Sequence, residues 1–567
     1  MQPETGQRSV AFAKTTRPAI GAVVPRERLF ARLDGTTGRT VAWISGPPGS
    51  GKTSLAASYV EARHLRCLWY QVDPDDTDVA TFFHYLGHAA RKLESGRGRE
   101  LPSFALRHDS DIASFSRRFV RQLFARAKAP LALVLDNLHA VPLESGLHAV
   151  LEAAFSQIPK HCLVMVTSRS DAPASFARLR VTGEMVCVGA DDLHLDVDEL
   201  AGIAKLRGYA LAADAVPHLH KRTQGWAAGV VLMLEHSKLS GRIAEVPGDA
   251  TPKVIFDYLA GEIFDRFEPK TQQFLLRIAC LPRMTAEVAQ ELTGEAKAAR
   301  LLLNLALNHY FVDEIQSDEG RIFQLHPLLR DFLRGRAAQE LPEALGADQL
   351  QRAAALLRGA GHTEDAVALL MECRKWAEVA QIAAAEASAM LEQGRSETLA
   401  LWLESLPPAL LAADPRLLFS LGACRAQSAP RTARRNFEQA FECFRRAGDR
   451  PGMLQSARGV VDATISELDD LAPLDHWASV LAALLREAAG AATAHTEAGA
   501  LTTLIRATLM RDPGSAELDG WLAGAERAVA ASDAAHADAP EVRAGVARAR
   551  ATAALLRGDL AAAGTTL

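Results

Sequence analysis

A glycine-rich segment that follows a short apolar run has residue types suited to holding phosphate. Residues 46–53 read GPPGSGKT and satisfy the pattern G-x-x-x-x-G-K-[ST]. The glycines let backbone N–H groups surround phosphate oxygens, and a helix that begins here points its positive end at the same anion. In such a loop Lys52 reaches the β- and γ-phosphates and Thr53 ligates Mg²⁺. The residues predicted to bind nucleotide in this segment are Gly46, Pro48, Gly49, Ser50, Gly51, Lys52, Thr53 and Ser54.

A phosphate loop of this kind needs a carboxylate at the end of a neighbouring strand to hold Mg²⁺. The run LALVLDNLH places Asp136 after five apolar residues, so Thr53 and Asp136 are the predicted metal ligands. An aspartate at a strand end is by itself typical of a turn, and the metal role depends on the phosphate loop. Asn137 follows where many such proteins carry a second acid, and an amide cannot take a proton from water. Hydrolysis is therefore slow or uses another base, for which His139 is a candidate and a turn-capping role is the alternative.

A third strand-like run, CLVMVTSR, ends in a polar and a cationic residue. Ser168 and Arg169 at this strand end could sense a γ-phosphate, and the alternative for Arg169 is a salt bridge. The residues predicted to act in hydrolysis are therefore Lys52, Asp136 and Arg169.

The spacing of apolar runs predicts the elements that position these residues. Between residues 21 and 190, the runs TVAWIS, RCLWYQV, LALVLD and CLVMVTS are separated by helix-length stretches. Buried parallel strands show such near-continuous apolar runs, so an α/β nucleotide-binding domain is predicted. Residues 191–250 predict a small helical domain. Residues 251–345 combine helices with a hairpin, formed by YFVDEIQ and RIFQLH around SDEG, and predict a winged helix.

The C-terminal part of the sequence predicts stacked helical repeats. Residues 346–567 are rich in Ala and Leu, and AAALLRGAGHTEDA is echoed near the end by AALLRGDLAAA. Such an echo is typical of helix pairs stacked as a TPR-like solenoid. Phe437, Phe441 and Phe444 share one face of a helix whose arginines are interpreted as a solvated face. The last repeat is incomplete, so we expect a continuation of the chain or a partner there.

Composition excludes several other classes of protein. The 567 residues are 49% hydrophobic with a formal net charge of −5, which does not indicate a general nucleic-acid or membrane surface. The seven cysteines form no C-x-x-C pair, which argues against a disulfide scaffold or a zinc site and favours a reducing, cytoplasmic compartment. No apolar stretch reaches bilayer length, and the N-terminus has no signal-peptide core. Residues 1–20 are predicted to form a flexible arm.

These segments, taken in order, resemble the MalT-like group of STAND signal-transduction ATPases, whose core is shared with large LuxR-family transcriptional activators. VVPRERLFARL resembles the entry segment near the adenine and makes Arg26 a candidate ligand. CLWYQVDPDDTDVATFFHYL resembles the second strand and the helix after it. LVLDNLH and VTSR occupy the Walker B and sensor positions, and TQGWAAGVVLML resembles a G-W segment. QQFLLRIACLPRMTAEVAQELTG and FQLHPLLRDFL resemble the winged-helix region. The resemblance covers residues 20–345 well and the repeats only as a class.

The resemblance implies a switch that rests with ADP and becomes an oligomerising active form with ATP and an inducer. His326 in LHPLL matches a winged-helix histidine that touches the phosphates in the resting form, and a core histidine at a helix start is the alternative. The GWAAG segment lacks the proline that other branches place against adenine, which leaves Gly225 and Trp226 as candidates there. No LuxR-type DNA-binding domain is recognised, so the DNA-facing output is missing from this chain, replaced or absent.

Three functions are compatible with this pattern. The leading hypothesis is an ATP/ADP-dependent, Mg²⁺-requiring signal switch with slow hydrolysis that regulates transcription, whose helical repeats sense a small molecule or a protein. Such a switch would self-associate with ATP and contact DNA only through another domain. The alternatives are a P-loop ATPase that uses hydrolysis for mechanical or remodelling work, and a scaffold with a structural nucleotide. Fast turnover favours the second, and equal responses to ATP and ADP favour the third.

Overall fold

The computed structural model describes residues 13–19, 23–34, 40–91, 101–102, 104, 112–126, 130–209, 215–240, 252–307, 310–317, 320–487, 493–534 and 540–557. The chain divides into two compact units, Met1–Lys375 and Trp376–Leu567. Among the residues in these ranges, no helix is long and apolar enough to cross a membrane.

A sheet of five parallel strands forms the centre of the first unit. The strands are β1 (Val41–Ser45), β2 (Arg66–Gln71), β3 (Leu131–Asp136), β4 (Leu163–Ser168) and β5 (Met185–Val188). Their order in the sheet is β2-β3-β4-β1-β5. The four predicted strands are present, whereas β5 was not predicted because four residues show too little periodicity. One expectation is corrected: Asp136 does not end a strand next to β1, because β4 lies between β1 and β3.

Helices cover both faces of this sheet. They are α1 (Glu27–Asp34), α2 (Lys52–Ala62), α3 (Val79–Arg91), α4 (Ile112–Arg126), α5 (Gly146–Phe155) and α6 (Ala177–Val181). Successive strand residues face opposite sides, so Val41 and Trp43 pack with α3, α4 and α5. Ala42 and Ile44 pack with α1 and α2 on the other side. Burial on both faces explains why the strands appear in the sequence as continuous apolar runs.

Two further groups of helices follow the sheet within the first unit. The first group contains α7 (Val197–Leu206), α8 (Ala215–Thr223) and α9 (Ala227–Ser240). The second group contains α10 (Pro252–Phe264), α11 (Pro269–Ile278), β6 (Arg283–Thr285), α12 (Ala286–Thr293), α13 (Ala298–Leu307), β7 (Val312–Ser317), β8 (Gly320–Leu325) and α14 (Pro327–Glu340). Strands β7 and β8 pair antiparallel, which confirms the predicted hairpin, and β6 adds a short third strand that was not predicted.

Helical pairs make up the rest of the described chain. Helices α15 (Ala347–Gly359) and α16 (Thr363–Glu372) belong to the first unit. The second unit contains α17 (Trp376–Glu392), α18 (Ser396–Ser405), α19 (Pro408–Ala413), α20 (Pro415–Arg425), α21 (Pro430–Ala447), α22 (Arg450–Glu467), α23 (Ala472–Glu487), α24 (Ala494–Arg511), α25 (Leu518–Ala534) and α26 (Pro540–Leu556). This confirms the predicted fold class, including the helical solenoid. The predicted domain boundaries stay predictions, and the incomplete last repeat, from residue 558 on, lies outside the described residues.

The buried face of α21 shows how neighbouring pairs of the second unit pack. Phe437, Phe441 and Phe444 are all buried, on the face that the spacing predicts. Glycines on α22 receive two of these rings: a Cβ atom on Gly452 would lie 2.4 Å from the Phe444 ring, and one on Gly459 would lie 2.8 Å from that of Phe437. The two helices therefore approach too closely for larger residues at these positions.

Residues 13–19, which we call the N-terminal strap, join the nucleotide-binding sheet to the β7–β8 hairpin. Lys14 is buried and its Nζ lies 2.7 Å from Asp73 Oδ1 and 2.9 Å from Asp76 Oδ1. At the other end of the strap, the Ala19 N–H donates to the Glu314 carbonyl on β7 at 2.8 Å. The prediction of a flexible arm is therefore wrong for residues 13–19, because two carboxylates fix the lysine. Residues 1–12 and 20 lie outside the described residues.

The carboxylates around Lys14 extend this contact into a network. Asp76 is fully buried and accepts hydrogen bonds from the Tyr70 hydroxyl at 2.6 Å and from the Asp73 N–H at 2.9 Å. Arg283 of β6 lies 3.9 Å from Asp73 and 3.1 Å from Asp365 of α16. Burial lowers the pKa of Lys14, but the charges of Asp76 and Asp73 more than offset this and hold it above its ordinary value. The strap thus supplies the cation of a buried ionic cluster.

Replacing Lys14 by methionine should destabilise the first unit. The substitution leaves Asp76 buried without its cation, and breaking one partner of a buried ion pair costs about 3 kcal/mol. We expect Lys14→Met to increase urea-dependent hydrogen exchange in peptides of β2, measured by mass spectrometry on the full chain. Lys270→Met, at an exposed position of α11, is the control. Equal protection of β2 in both variants would show that the cluster contributes no stability.

Candidate nucleotide site

The segment between β1 and α2 forms a tight loop that leads directly into the first turn of α2. Gly49 and Gly51 adopt the left-handed conformation, with φ of 73° and 82°, which other residues adopt only with strain. The Ser50 N–H donates to the Pro47 carbonyl at 3.3 Å and closes the turn. Helix α2 begins at Lys52, so the N–H groups of its first turn have no partners within the helix. Ser54 is the third residue of this helix.

Lys52 is a buried cation held by the oxygens of its own loop. Its Nζ donates to the Gly46 and Pro47 carbonyls at 2.8 Å each, and lies 3.4 Å from the Ser50 hydroxyl. Burial lowers the pKa of Lys52 to about 8, against the opposing charge of Asp136 and with a smaller contribution from the charge of Arg169. Neutral oxygens compensate a buried cation poorly, so the loop favours an added anion.

Asp136 and two threonine hydroxyls form a compact cluster at the ends of three elements. Thr53 Oγ1 donates to Asp136 Oδ1 at 2.9 Å, and Thr167 Oγ1 donates to the same oxygen at 2.5 Å. The Asn137 N–H donates to Thr167 Oγ1 at 2.9 Å. Burial raises the pKa of Asp136, while the hydrogen bonds from Thr167 and Thr53 work in the opposite direction. A carboxylate beside a hydroxyl suits Mg²⁺, which retains several waters and takes few protein oxygens.

Thr167, which sequence reasoning missed, rather than Ser168, contacts the aspartate. The register of β3 and β4 pairs Leu135 with Val166, so the next residues along, Asp136 and Thr167, come together at the strand ends. The Ser168 hydroxyl instead accepts a hydrogen bond from the Ser170 N–H. Thr167 could be connected with Asp136 only once β3 and β4 were known to be neighbours.

Two further residues of the predicted set lie near Lys52. Arg169 is exposed, and its charge acts on Lys52 and on His139. Burial, then Arg169 and Lys52, lower the pKa of His139 to about 4, and its Nδ1 is buried without a hydrogen-bond partner. Asn137 has φ of 65°, a conformation that asparagine tolerates better than most residues. The left-handed backbone at this position therefore also favours asparagine over most other residues.

His326 connects the hairpin region to the phosphate loop. It caps α14, since its Nδ1 accepts a hydrogen bond from the Leu328 N–H at 3.2 Å, and its ring lies against Phe311. In the neutral ring the proton is then on Nε2, which remains a donor. Burial, followed by the charges of Lys52 and Arg169, lowers the pKa of His326 to about 4. The structure places this histidine at a helix start, and its contact with nucleotide phosphates stays a prediction.

Asp313 on β7 also lies within electrostatic range of the site and was not predicted. Although Asp313 is exposed to solvent, the desolvation of its carboxyl by surrounding protein, and then the charge of Asp136, raise its pKa to about 6. Asp313 and His326 belong to elements that follow the sheet by more than a hundred residues. No local sequence pattern could have connected this aspartate with Asp136.

Arg26 and Trp226 surround the loop from outside. Arg26 is buried and donates to the Leu193 and His194 carbonyls at 3.0 Å and to Glu199 at 2.9 Å. These contacts tie the entry segment to α7, and a direct contact of Arg26 with nucleotide stays a prediction. Trp226 Nε1 donates to the Pro48 carbonyl at 3.0 Å, so it supports the back of the loop.

Residues around Trp226 add to this support. The Ala228 N–H donates to the Gly49 carbonyl at 2.9 Å. Gly225 has φ of 74°, and a Cβ atom there would lie 2.5 Å from the Leu195 carbonyl oxygen, so only glycine fits. The helical group that follows the sheet therefore fixes the outer wall of the loop through its backbone.

The parallel sheet, the loop and the hairpin define a P-loop NTPase followed by a winged helix. Residues 260–345 match the family described as the MalT winged helix domain. Residues 26–169 match the family described as the N-terminal region of nephrocystin 3.

Curated relatives carry the name HTH-type transcriptional regulator MalT. The protein of Serratia proteamaculans (strain 568) is 29% identical over 352 residues, which are 60% of this chain and 38% of that protein. The Vibrio cholerae protein is 27% identical over 433 residues, which are 73% of this chain and 46% of that protein. The chain thus spans less than half the length of these relatives. The winged-helix match and these relatives confirm the resemblance to MalT-like STAND ATPases.

The chain is also similar to a solved structure. It is a STAND protein with a tetratricopeptide repeat sensor from Pyrococcus horikoshii. It covers 98% of this chain and 96% of its own, at 15% identity and a TM-score of 0.45.

Binding of ADP at pH 8 should be accompanied by proton uptake. The pKa of Lys52 is about 8 without an anion, and a bound polyphosphate raises it, so about half a proton per ADP is taken up. Isothermal titration in Tris, Hepes and Tricine would show this as a binding enthalpy that depends on the buffer. Lys52→Arg keeps a cation that does not titrate and should lose the dependence, while His326→Gln should retain it. An enthalpy independent of buffer in the wild-type chain would contradict the assigned environment of Lys52.

Replacing Asp313 by asparagine should stabilise the protein above pH 6. A carboxyl whose pKa is raised on folding stabilises the fold while protonated, and this contribution is lost as the pH rises through about 6. In protein freed of nucleotide and Mg²⁺, Asp313→Asn should therefore melt at a higher temperature than wild type at pH 8, with a smaller difference at pH 5. Asp331→Asn, at an exposed position of α14, is the control. Equal melting temperatures at pH 8 would refute the assigned environment of Asp313.

Proposed function

We propose that this chain is an ATP/ADP-dependent signal switch of the MalT type that controls transcription. The observation that supports it most concerns two residues of the winged helix. Besides burial, the charges of Lys52 and Arg169 lower the pKa of His326, and the charge of Asp136 raises the pKa of Asp313. A nucleotide bound there would interact with two domains at once. A phosphate loop would bind nucleotide in any P-loop protein. His326 and Asp313 would in addition make the position of the winged helix depend on the bound nucleotide.

The charges on the two sides of the site suit discrimination between nucleotides. The loop N–H groups and Lys52 would hold the phosphates common to ADP and ATP, and Thr53 and Asp136 would hold Mg²⁺. A γ-phosphate adds negative charge, which Arg169 attracts and Asp313 repels. ATP and ADP would then differ in affinity for the arrangement with the winged helix in place, which is what a switch requires.

Hydrolysis in this proposal resets the switch and is slow. Asp136, Lys52 and Arg169 would orient the phosphates and the metal, while Asn137 takes no proton from an attacking water. His139 has a lone buried Nδ1 near these residues and is the candidate for contacting the water. Slow turnover separates this switch from a motor that spends nucleotide on mechanical work.

Regulation of transcription is proposed from the relatives, which are named as HTH-type transcriptional regulators. DNA would be contacted through an output domain other than those described above. The helical repeats would bind an inducer, and the ATP form would self-associate. All seven cysteines are free, which supports a reducing, cytoplasmic compartment as part of the proposal.

The nucleotide that co-purifies with the chain gives the first test. Denaturing the protein and chromatographing the released nucleotide should yield about one ADP per chain, as expected for a resting switch that hydrolyses ATP slowly. Lys52→Ala should release none, because the loop loses its cation. ATP in place of ADP would contradict hydrolysis by the purified chain, and an empty wild-type site would contradict a nucleotide-bound resting form.

Scattering and molar mass in each nucleotide then separate the three functions. Protein loaded with ADP and with ATP plus Mg²⁺ should differ in scattering profile, since the switch must favour different conformations. Identical profiles and masses would indicate a scaffold with a structural nucleotide. Turnover at tens per second, typical of working ATPases, would indicate a motor instead.

A further inference from the structure

A cavity of about 650 Å³ opens within the second unit. It is lined mainly by α20, α22 and α24, which are the first helices of three consecutive antiparallel pairs and lie side by side. A volume of this size is typical of a site for a small organic molecule. The cavity therefore lies on the surface that the first helices of the stacked pairs share.

One wall of the cavity is apolar and fixed in shape. The rings of Phe419 and Phe437 contact each other with centroids 5.4 Å apart. Gly422 and Gly459 lie against Phe437, where an added Cβ would come within 2.8 Å of the ring in each case. The ring therefore has little room to turn, and the small side chain of Ala423 leaves the space beside it open. This wall suits an aromatic or aliphatic body.

The polar side of the cavity carries more positive than negative charge. Asp462 on α22 accepts hydrogen bonds from Arg506 Nη1 at 2.8 Å and from the Thr503 hydroxyl at 3.0 Å, and both of these residues lie on α24. Arg458, one turn before Asp462, has its Nε 3.6 Å from the same carboxylate. The Asp462 carboxylate therefore pairs with the guanidinium groups of both Arg458 and Arg506. These three side chains together carry one excess positive charge.

Helix α24 fixes the position of the less strongly paired arginine. A Cβ atom on Gly499 would lie 2.5 Å from Arg458 Nη1, so the guanidinium packs directly on the helix backbone there. Its side chain remains 40% exposed. Arg458 is therefore a positioned cation that still faces solvent, beside an apolar wall.

We propose that this cavity binds a small organic anion with an apolar body, such as an aryl or alkyl carboxylate. The body would lie against Phe419 and Phe437, and the anionic group would pair with Arg458 and Arg506. Guanidinium groups bind carboxylates through paired hydrogen bonds, and the excess charge rejects cations. The inference rests on the proposed function, because it gives the inducer of the switch a site and a chemical class.

Titration of the full chain with matched probes tests the site. The probes are octanoate and 4-phenylbutyrate, compared with the neutral amide and the amine of the same carbon skeletons. We expect the carboxylates to bind, the amides to bind about tenfold more weakly and the amines not to bind, since one charged hydrogen bond is worth about a tenfold change. Lack of binding by both carboxylates at millimolar concentration, or equal binding of the amides, would overturn the proposal.

Variants locate the binding within the cavity. Arg458→Gln should weaken carboxylate binding about tenfold. Arg431→Gln is the matched control, because Arg431 lies on α21, pairs with Glu467 and does not line the cavity. Ala423→Leu should reduce binding of both probes by filling the apolar space, and circular dichroism would check its fold. Unchanged binding by Arg458→Gln would place the anion elsewhere and refute this site.

The link to the switch has a separate readout. Lys52→Ala should still bind the carboxylates, because the phosphate loop is not part of the cavity, but with an affinity changed by the loss of bound nucleotide, since coupling between two sites is reciprocal. In the wild-type chain, a bound carboxylate should change the rate at which labelled ADP is released. Carboxylate binding without a change in the rate of ADP release would overturn the inducer role. The proposed switch would still stand if ADP co-purifies with the chain and if the ADP and ATP forms differ in scattering.

Discussion

The burial of Lys52 is the constraint on which the nucleotide site depends. Its ammonium is held by backbone carbonyls, and burial together with the charge of Arg169 lowers its pKa. Such a concentration of donors is stable only with an anion to compensate it. The left-handed glycines, the start of α2 and the support from Trp226 all serve to keep the donors directed at one space. The arrangement of this loop therefore favours a bound anion.

The buried ammonium of Lys14 is paired with carboxylates and helps to stabilise the first unit. Lys14 meets two carboxylates where Lys52 meets none in its hydrogen bonds. The cluster around Lys14 connects the strap with β6 and α16. The winged helix thus contacts the N-terminal strap through Glu314, and its His326 lies within electrostatic range of Lys52.

Local patterns were enough to predict much of this architecture. The phosphate loop, Asp136 and the hairpin each follow from a few consecutive residues, and apolar runs predicted the buried strands. Thr167, Asp313 and Lys14 were missed for one shared reason: each acts on a residue distant in sequence. Their partners become visible only when the strand order and the domain packing are known. Arg26 was predicted as a nucleotide ligand by resemblance, and this stays a prediction, whereas its hydrogen bonds to the chain at residues 193–194 required the structure.

The position of β7 in its sheet has a consequence for assembly. The strand order β6-β8-β7 puts β7 at an edge, where backbone groups not used by β8 need partners. The strap supplies one through Ala19, which forms an isolated bridge to Glu314. A movement that withdrew the strap would leave an open strand edge, and an open edge accepts an extended segment from another molecule. The contact between Ala19 and Glu314 therefore covers part of the β7 edge, where an extended segment of another chain could otherwise pair.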